Sequence, residues 1–366
     1  MSDFVVIGGG VIGLMLARQL LQGGARVTVL EAGQCGREAS WAGGGIVSPL
    51  YPWRYSPAVT ALASQAQRLF PALCSELLAE TGIDPEHQQT GLLMLDAPDA
   101  GDALAWAQQQ GVPMVRQEAD QLASREPQLA VGFASGLWMP QVANVRNPRL
   151  LQALLASLRQ HPHCRLREFA PVLAVGDGHA DLAAGERVTA GQVVVCSGAW
   201  SGELLAASGV ALPVLPVLGQ MLLYRLSPGW LTTMVLHEGR YAIPRRDGHV
   251  LVGSTLEQRG FDKTITDEAR GALQAAAEAM LPGLRGVAPL RQWAGLRPGA
   301  PEGVPFMGRV PGHERLWVCA GHFRNGLVLS PASAQLLADM LLGRTPAIDP
   351  APYRPVKCAP FPLPEA

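Results

Sequence analysis

Charge is scarce in this chain of 366 residues. Charged side chains make up 16% of it, and 29 Lys and Arg against 30 Asp and Glu leave a net charge of −1. A chain without a basic surplus has no general affinity for nucleic acid or an anionic membrane surface. Cysteine is sparse as well. Cys35, Cys74, Cys164, Cys196, Cys319 and Cys358 stand far apart, so no CxxC spacing for zinc or dithiol chemistry is present. Free buried thiols and a reducing, cytoplasmic compartment are the matching expectation. No uninterrupted apolar run is long enough to span a bilayer. The N-terminal MSDFVVIGGGVIGLMLARQLL is unlike a secretory signal: no basic residue precedes the apolar run, Asp3 is acidic, and three glycines interrupt it. Internal repeats and low-complexity blocks are missing too. Hydrophobic residues, at 48%, are plentiful. Over this length they predict a sizeable core and two intimately packed domains.

The first thirty residues carry the clearest pattern. Phe4 to Ile7 reads as a strand buried on both faces. Gly8-Gly9-Gly10-Val11-Ile12-Gly13 then matches GxGxxG. A helical segment follows from Leu14 to Gln22, ended by Gly23-Gly24, and Ala25 to Leu30 reads as a second strand with Glu31 at its end. Gly8 permits the tight turn, Gly10 lets the backbone approach a pyrophosphate, and Gly13 allows close helix–strand packing. The helix start offers free N–H groups and a favourable dipole to the phosphates. Glu31 can accept from both hydroxyls of a ribose and repels a 2′-phosphate. Strand, glycines, helix, strand and acid in this order are far more specific than GxGxxG alone. The pattern fits FAD or NAD. No second copy exists, since GDGHAD (176–181) and GHFRNG (321–326) lack the strand-then-helix context. FAD alone is therefore expected.

Further along, REASWAGGGI places Ser40 before Gly43, Gly44 and Gly45. This is either a second backbone cradle for the nucleotide or a flexible surface loop. Ser56 to Thr81 reads as a long amphipathic helix, and Asn147-Pro148 starts another with a leucine stripe. Residues 82 to 145 mix short strands (GLLMLD, SGLWMP) with helices. Phe169 to Gly176 and Arg187 to Cys196 read as paired strands, and VVVCSGAWS as a buried strand entering a turn. From Leu212 to Ser254, GQMLLYRL, TTMVLHEGRYAI and HVLVGST read as antiparallel strands, with Asp247-Gly248 as a hairpin turn. Thr264 to Met280 is a helix, and the proline-rich stretch from Ala347 reads as a surface tail. The fold class is α/β, α+β overall: a Rossmann-like FAD-binding domain (1–81, 146–211 and 306–366) with an inserted antiparallel-sheet substrate domain (82–145 and 212–305).

VVIGGGVIG with Glu31, SWAGGG, VVVCSGAWS, YAIPRRDGHVLVGST, WAGLRPG and AGHFRNGLVLSP occur in this order. Together they resemble the FAD-dependent amine oxidases of the D-amino-acid oxidase superfamily, and within it the glycine oxidase family of the thiamine pathway. The resemblance covers essentially the whole chain. It implies noncovalent FAD and oxidation of glycine or another small amino acid or amine. Oxygen would be reduced to hydrogen peroxide, and the imine hydrolysed to a 2-oxo acid (glyoxylate from glycine) and ammonia or passed to thiazole synthesis. A homo-oligomer is also implied. Beside the glycine fingerprint, the FAD contacts it implies include Ala32, Val172, Gly198, His322, Arg324, Asn325, Gly326 and Leu327. Rival readings are a D-amino-acid dehydrogenase feeding a membrane carrier, a sarcosine oxidase and a non-catalytic nucleotide-binding scaffold. Cys319 and Cys358 match no motif for covalent flavin attachment.

For the substrate, the resemblance points to Arg297 of WAGLRPG as a carboxylate clamp, partnered by Tyr241 of YAIP. The physics agrees, because a guanidinium fork matches a carboxylate bidentately and a phenol adds a short hydrogen bond. Arg324 either contacts the substrate carboxylate, gates the pocket or pairs with a loop acid. His322 reads as a hydrogen-bonded structural histidine rather than a base. Gly239, just before Tyr241 and after His237, leaves the pocket open. YPWRY (51–55) lines the entrance or is an exposed loop. No residue is assigned as a certain catalytic acid or base, since orientation and electrostatics are the main requirements for hydride transfer.

Overall fold

The computed structural model describes residues 2–355. Two sheets organise it. The first is built around Ser2–Ile7, whose last four residues, FVVI, are buried. This strand runs parallel to Val27–Leu30 on one side, with Ile7 opposite Leu30. On the other it runs parallel to Arg187–Val195, with Ile7 opposite Val195. Cys164–Arg167 adds a further parallel strand at one edge. Leu316–Ala320, parallel, and Phe306–Arg309, antiparallel, add two at the other. A parallel sheet of apolar strands must be covered on both faces. Phe4 and Val6 face a core shared with Leu16 and Leu20 of helix Val11–Gln22, Phe70 of Pro57–Thr81, Leu154 of Asn147–Gln160 and Leu337 of Gly326–Leu341. Val5 and Ile7 face a second core with Val193, Leu205 and Val318.

The second sheet follows the order Arg291–Gly299, Leu215–Arg225, His249–Gly253, Arg240–Pro244, Met234–His237, Leu92–Leu95, Ser135–Met139, Val115–Glu118. All neighbours are antiparallel except Met234–His237 with Leu92–Leu95. In its longest pairing Val217 lies opposite Arg297 and Met221 opposite Trp293, and Met221 also lies opposite Gly253. The register thus brings Met221, Gly253 and Tyr241 abreast, since Tyr241 pairs with Gly253 as well.

Three sequence expectations change. Phe169 to Gly176 does not pair with Arg187 to Cys196. The chain turns at Asp177-Gly178, and a strand His179–Leu182 inserts between Val172–Gly176 and Arg187–Val195. Its short alternation, with Ala180 and Leu182 buried, was hidden inside an apparent turn region. The helix expected from Thr264 begins at Asp267, because the Thr266 hydroxyl accepts from Ala269 N–H and caps it. The C-terminal stretch is not wholly a surface tail: Tyr353 is buried and its hydroxyl donates to the Ala58 carbonyl at 2.8 Å. The rest of that stretch, with Cys358, lies outside the described residues.

One side chain joins the second sheet to the glycine segment at 43–45. Arg245 follows strand Arg240–Pro244 and is buried. Its Nη1 donates to Asn144 Oδ1 at 2.7 Å and the Val145 carbonyl at 2.9 Å, and its Nη2 donates to the Gly44 carbonyl at 2.6 Å. Burial pulls its pKa down to about 10, with nearby Arg146 adding to the effect. It is therefore a cation at neutral pH held by neutral acceptors. A Cβ at Gly45 would collide with the Val145 carbonyl, so the segment lies backbone to backbone against 143–145. Arg245→Met strands these acceptors in the interior. It should lower unfolding stability by about 3 kcal/mol in a urea titration. Arg245→Lys, which cannot span all three acceptors, should recover only part of this loss.

Candidate functional site

The two sheets share one cavity of about 450 Å³, within the usual range for ligand sites. The first sheet supplies its nucleotide-like end. Gly8 turns the chain at φ +113°, and a Cβ there would strike the Cys196 carbonyl. A Cβ at Gly13 would strike the Gly8 carbonyl, so the helix sits tight on the strand end. Gly13 itself is not on the wall, whereas Gly8, Gly10, Val11 and Ile12 are. Ser40 Oγ accepts from Val11 N–H at 2.9 Å and ties the second glycine segment to the helix start. Glu31 accepts from Gly9 N–H at 2.7 Å with one oxygen and from Gly33 N–H at 2.9 Å with the other. Each oxygen keeps capacity for a further donor. Ala32, Gly43, Gly44, Gly45, Val172 and Gly198 complete this end of the wall.

Several polar atoms of wall residues have no hydrogen-bond partner among the described residues. Asn147 Oδ1, Asn325 Nδ2 and both ring nitrogens of His322 are buried and unpaired, and all three residues line the cavity. The His322 ring lies against the Cys319 thiol. Asn325 immediately precedes helix Gly326–Leu341, whose first residues, Gly326 and Leu327, also face the cavity. Cys196 and Cys319 form part of the same wall. Contact with Cys319 and burial push the Cys196 thiol up, so it stays protonated.

The second sheet supplies the other end. Arg297 Nη1 donates to the Leu218 carbonyl at 3.2 Å and the Thr255 carbonyl at 3.1 Å, and Nη2 donates to Ser254 Oγ at 2.5 Å. Among the described residues it has no carboxylate within ion-pair distance. Burial pulls its pKa below the usual arginine value, Tyr241 opposes this, and Arg324 and Arg240 add to it. Tyr241 is buried with its hydroxyl 3.5 Å from Met221 Sδ, and Gly44 leaves room for its ring. Arg324 is exposed, lies 5.4 Å from the centre of the Phe323 ring and makes no ion pair among the described residues. The expected alternative of a loop acid holding it is therefore not seen. YPWRY folds against the neighbouring turn: Tyr51 Oη accepts from Gly239 N–H at 3.2 Å, and Arg54 is fixed by Asp99 at 2.7 Å.

Two wall residues escaped the sequence reading. Asn147 was visible only as a helix start, yet its Nδ2 donates to the Ser40 carbonyl at 2.8 Å. Arg240 precedes Tyr241, and its Nη1 donates to the Ser254 carbonyl at 2.7 Å. A charged residue at the head of the apolar YAIP strand was the available signal.

Comparison with known proteins agrees with this geometry. Residues 3–340 match the family model described as FAD dependent oxidoreductase (DAO). The chain belongs to the FAD-dependent oxidoreductase family. It is 54% identical to a glycine oxidase of Pseudomonas aeruginosa, over 96% of this chain and 98% of that one. It is 52% identical to one of Pseudomonas putida, over 97% and 98%. The crystal structure of glycine oxidase from Geobacillus kaustophilus superposes with a TM-score of 0.92 at 30% identity, covering 98% of this chain and 99% of that one.

FAD is the cofactor of this family enzyme, and the cavity fits it. The glycine turn, the helix start at Val11 and the Glu31 carboxylate suit a long, polar, phosphate-bearing ligand. Among the described residues no acid, histidine and cysteine group could hold a metal, and no helix is long and apolar enough to cross a membrane. Glu31→Ala should weaken FAD binding by roughly 10- to 100-fold, the cost of charged hydrogen bonds to ribose. Fluorescence titration of the apoprotein with FAD measures this directly.

Proposed function

We propose that this enzyme oxidises glycine and other small amino acids or amines. For glycine, one molecule each of glycine, oxygen and water would give glyoxylate, ammonium and hydrogen peroxide. The observation that carries the reading is Arg297, a cation facing the cavity with no carboxylate of its own among the described residues, beside Tyr241. Its forked donors suit a carboxylate held bidentately, and partial burial strengthens that grip. The names of the Pseudomonas relatives support glycine as the amino acid.

Bound FAD supplies the hydride acceptor and returns the electrons to oxygen. The protein's part is placement. Arg297 holds the carboxylate, and Tyr241 donates to the same group and covers it. The Cα–H bond is thereby fixed in one direction. No free carboxylate on the wall is suited to act as base. Glu31 is engaged by Gly9 and Gly33, Glu38 by Lys263 at 2.9 Å, and Glu238 is exposed. On this reading the substrate amine would lose its proton to solvent before the hydride leaves Cα.

Strands of the first sheet come from residues 2–30, 164–195 and 306–320, and those of the second from 92–139 and 215–299. This supports a discontinuous FAD-binding domain (1–81, 146–211, 306–366) and an inserted substrate domain (82–145, 212–305). A cytoplasmic homo-oligomer that feeds thiazole synthesis is the corresponding cellular reading. One relative of Synechocystis bears the name bifunctional protein ThiO/ThiG, which favours it.

The test is peroxide formation under air from glycine, sarcosine, D-alanine and D-proline. Glycine should be turned over, and Arg297→Ala should raise KM by roughly 100-fold or more, as expected for a lost charged, bidentate contact. FAD should remain bound in that variant. An unchanged KM would remove Arg297 from the carboxylate role, and flavin bleaching without peroxide would indicate a dehydrogenase.

A further inference from the structure

Three guanidinium groups converge on the substrate end, and one carboxylate neutralises only one of them. Arg240 and Arg297 both engage Ser254, the first at its carbonyl (2.7 Å) and the second at its hydroxyl (2.5 Å). Arg324 comes from the turn before helix Gly326–Leu341 and lines the same cavity. Among the described residues, none of the three has a carboxylate within ion-pair distance. Glu238, next along the wall, is largely exposed, with its carboxylate 3.9 Å from His237 Nε2. Burial and then Arg324 hold Arg240 below the usual arginine range, so like charges already press on one another.

We propose that Arg240 and Arg324 form a second anion subsite, so that the enzyme takes small amines carrying two carboxylates as well as one. This rests on Arg297 as the clamp for the first carboxylate. The second carboxylate replaces like-charge repulsion with charge-assisted hydrogen bonds in a partly desolvated site. Space is available beside it, because nothing but its chain neighbours Glu238 and Arg240 can lie within 4 Å of where a Cβ of Gly239 would stand. The subsite is separate from the phosphate cradle. Arg240 and Arg297 belong to the second sheet and share Ser254, whereas Gly10, Val11 and Ser40 belong to the N-terminal unit.

The experiment uses the FAD-loaded enzyme and two unreactive acids, acetate and malonate, with affinity read from perturbation of the flavin absorption spectrum. Malonate should bind at least tenfold more tightly than acetate. In Arg240→Met this preference should fall below threefold. Arg324→Met, at an exposed position with little consequence for folding, should reduce it in the same direction. Equal affinity in the unmodified enzyme, or a preference untouched by both substitutions, overturns the subsite. In turnover, iminodiacetate carries the second carboxylate on nitrogen and D-aspartate carries it on the side chain. For at least one of them, kcat/KM relative to glycine should drop tenfold or more in Arg240→Met; no drop for either overturns the substrate assignment. If malonate is preferred but no amine is oxidised, the subsite stands and the oxidase reading falls. If glycine is oxidised without any malonate preference, the subsite alone falls.

Discussion

A single buried guanidinium sets the relation between the two halves of the cavity. Arg245 reaches from the second sheet to the Gly44 carbonyl, 201 residues away in sequence, and to Asn144 and Val145 on the way. Its charge makes the arrangement demanding. A buried cation held by neutral acceptors tolerates little displacement, because each lost bond leaves a desolvated donor and a desolvated acceptor together. The Gly43–Gly45 segment is therefore fixed, even though its glycines alone would make it mobile. Tyr241 packs on Gly44, and Ser40 at the other end of the segment binds the helix start at Val11. Through these contacts the cradle for the cofactor and the wall for the substrate are placed relative to each other.

The charge distribution around the cavity then follows a simple division. Acid and helix dipole stand at the nucleotide end, where Glu31 accepts from the Gly9 and Gly33 backbone and the helix start would suit phosphates. Cations stand at the other end, on Arg240, Arg297 and Arg324. Between them the wall is largely apolar, with unpaired amide and imidazole groups at a few points. Such a site needs no protein base to be selective. It would suit an anion at one end and a polyanion at the other, with a neutral amine and a redox-active ring between them.

How much of this was legible in the sequence depended on distance along the chain. Glycine turn, helix start and Glu31 stand within about thirty residues, so their placement on the cavity wall could be expected from spacing alone. That Arg297 and Tyr241 line the same cavity could be expected only through motif resemblance, since nothing local distinguishes a clamp from a structural arginine. Arg240, Arg245 and Asn147 were not legible in role. Arg245 stood in plain view in YAIPRRDGH, but its acceptors lie on segments 100 and 201 residues earlier. The strand His179–Leu182 was missed for a different reason. Four residues are too few for alternation to stand out, and its neighbours are turn formers.

Ser254 shows why the arginines matter as a group rather than singly. Its hydroxyl and carbonyl take one guanidinium each, so Arg297 and Arg240 are positioned by the same residue. Neither bond neutralises any charge, and both arginines stay available to a ligand. Arg54 and Arg146, by contrast, are paired with carboxylates, Asp99 and Asp247. Leaving two neighbouring cations on neutral acceptors costs stability in the empty enzyme. An anion bound at this end would offset that cost, which is what the proposed carboxylate role of these arginines requires. The arrangement that would orient one carboxylate for oxidation would therefore leave a favourable place for another.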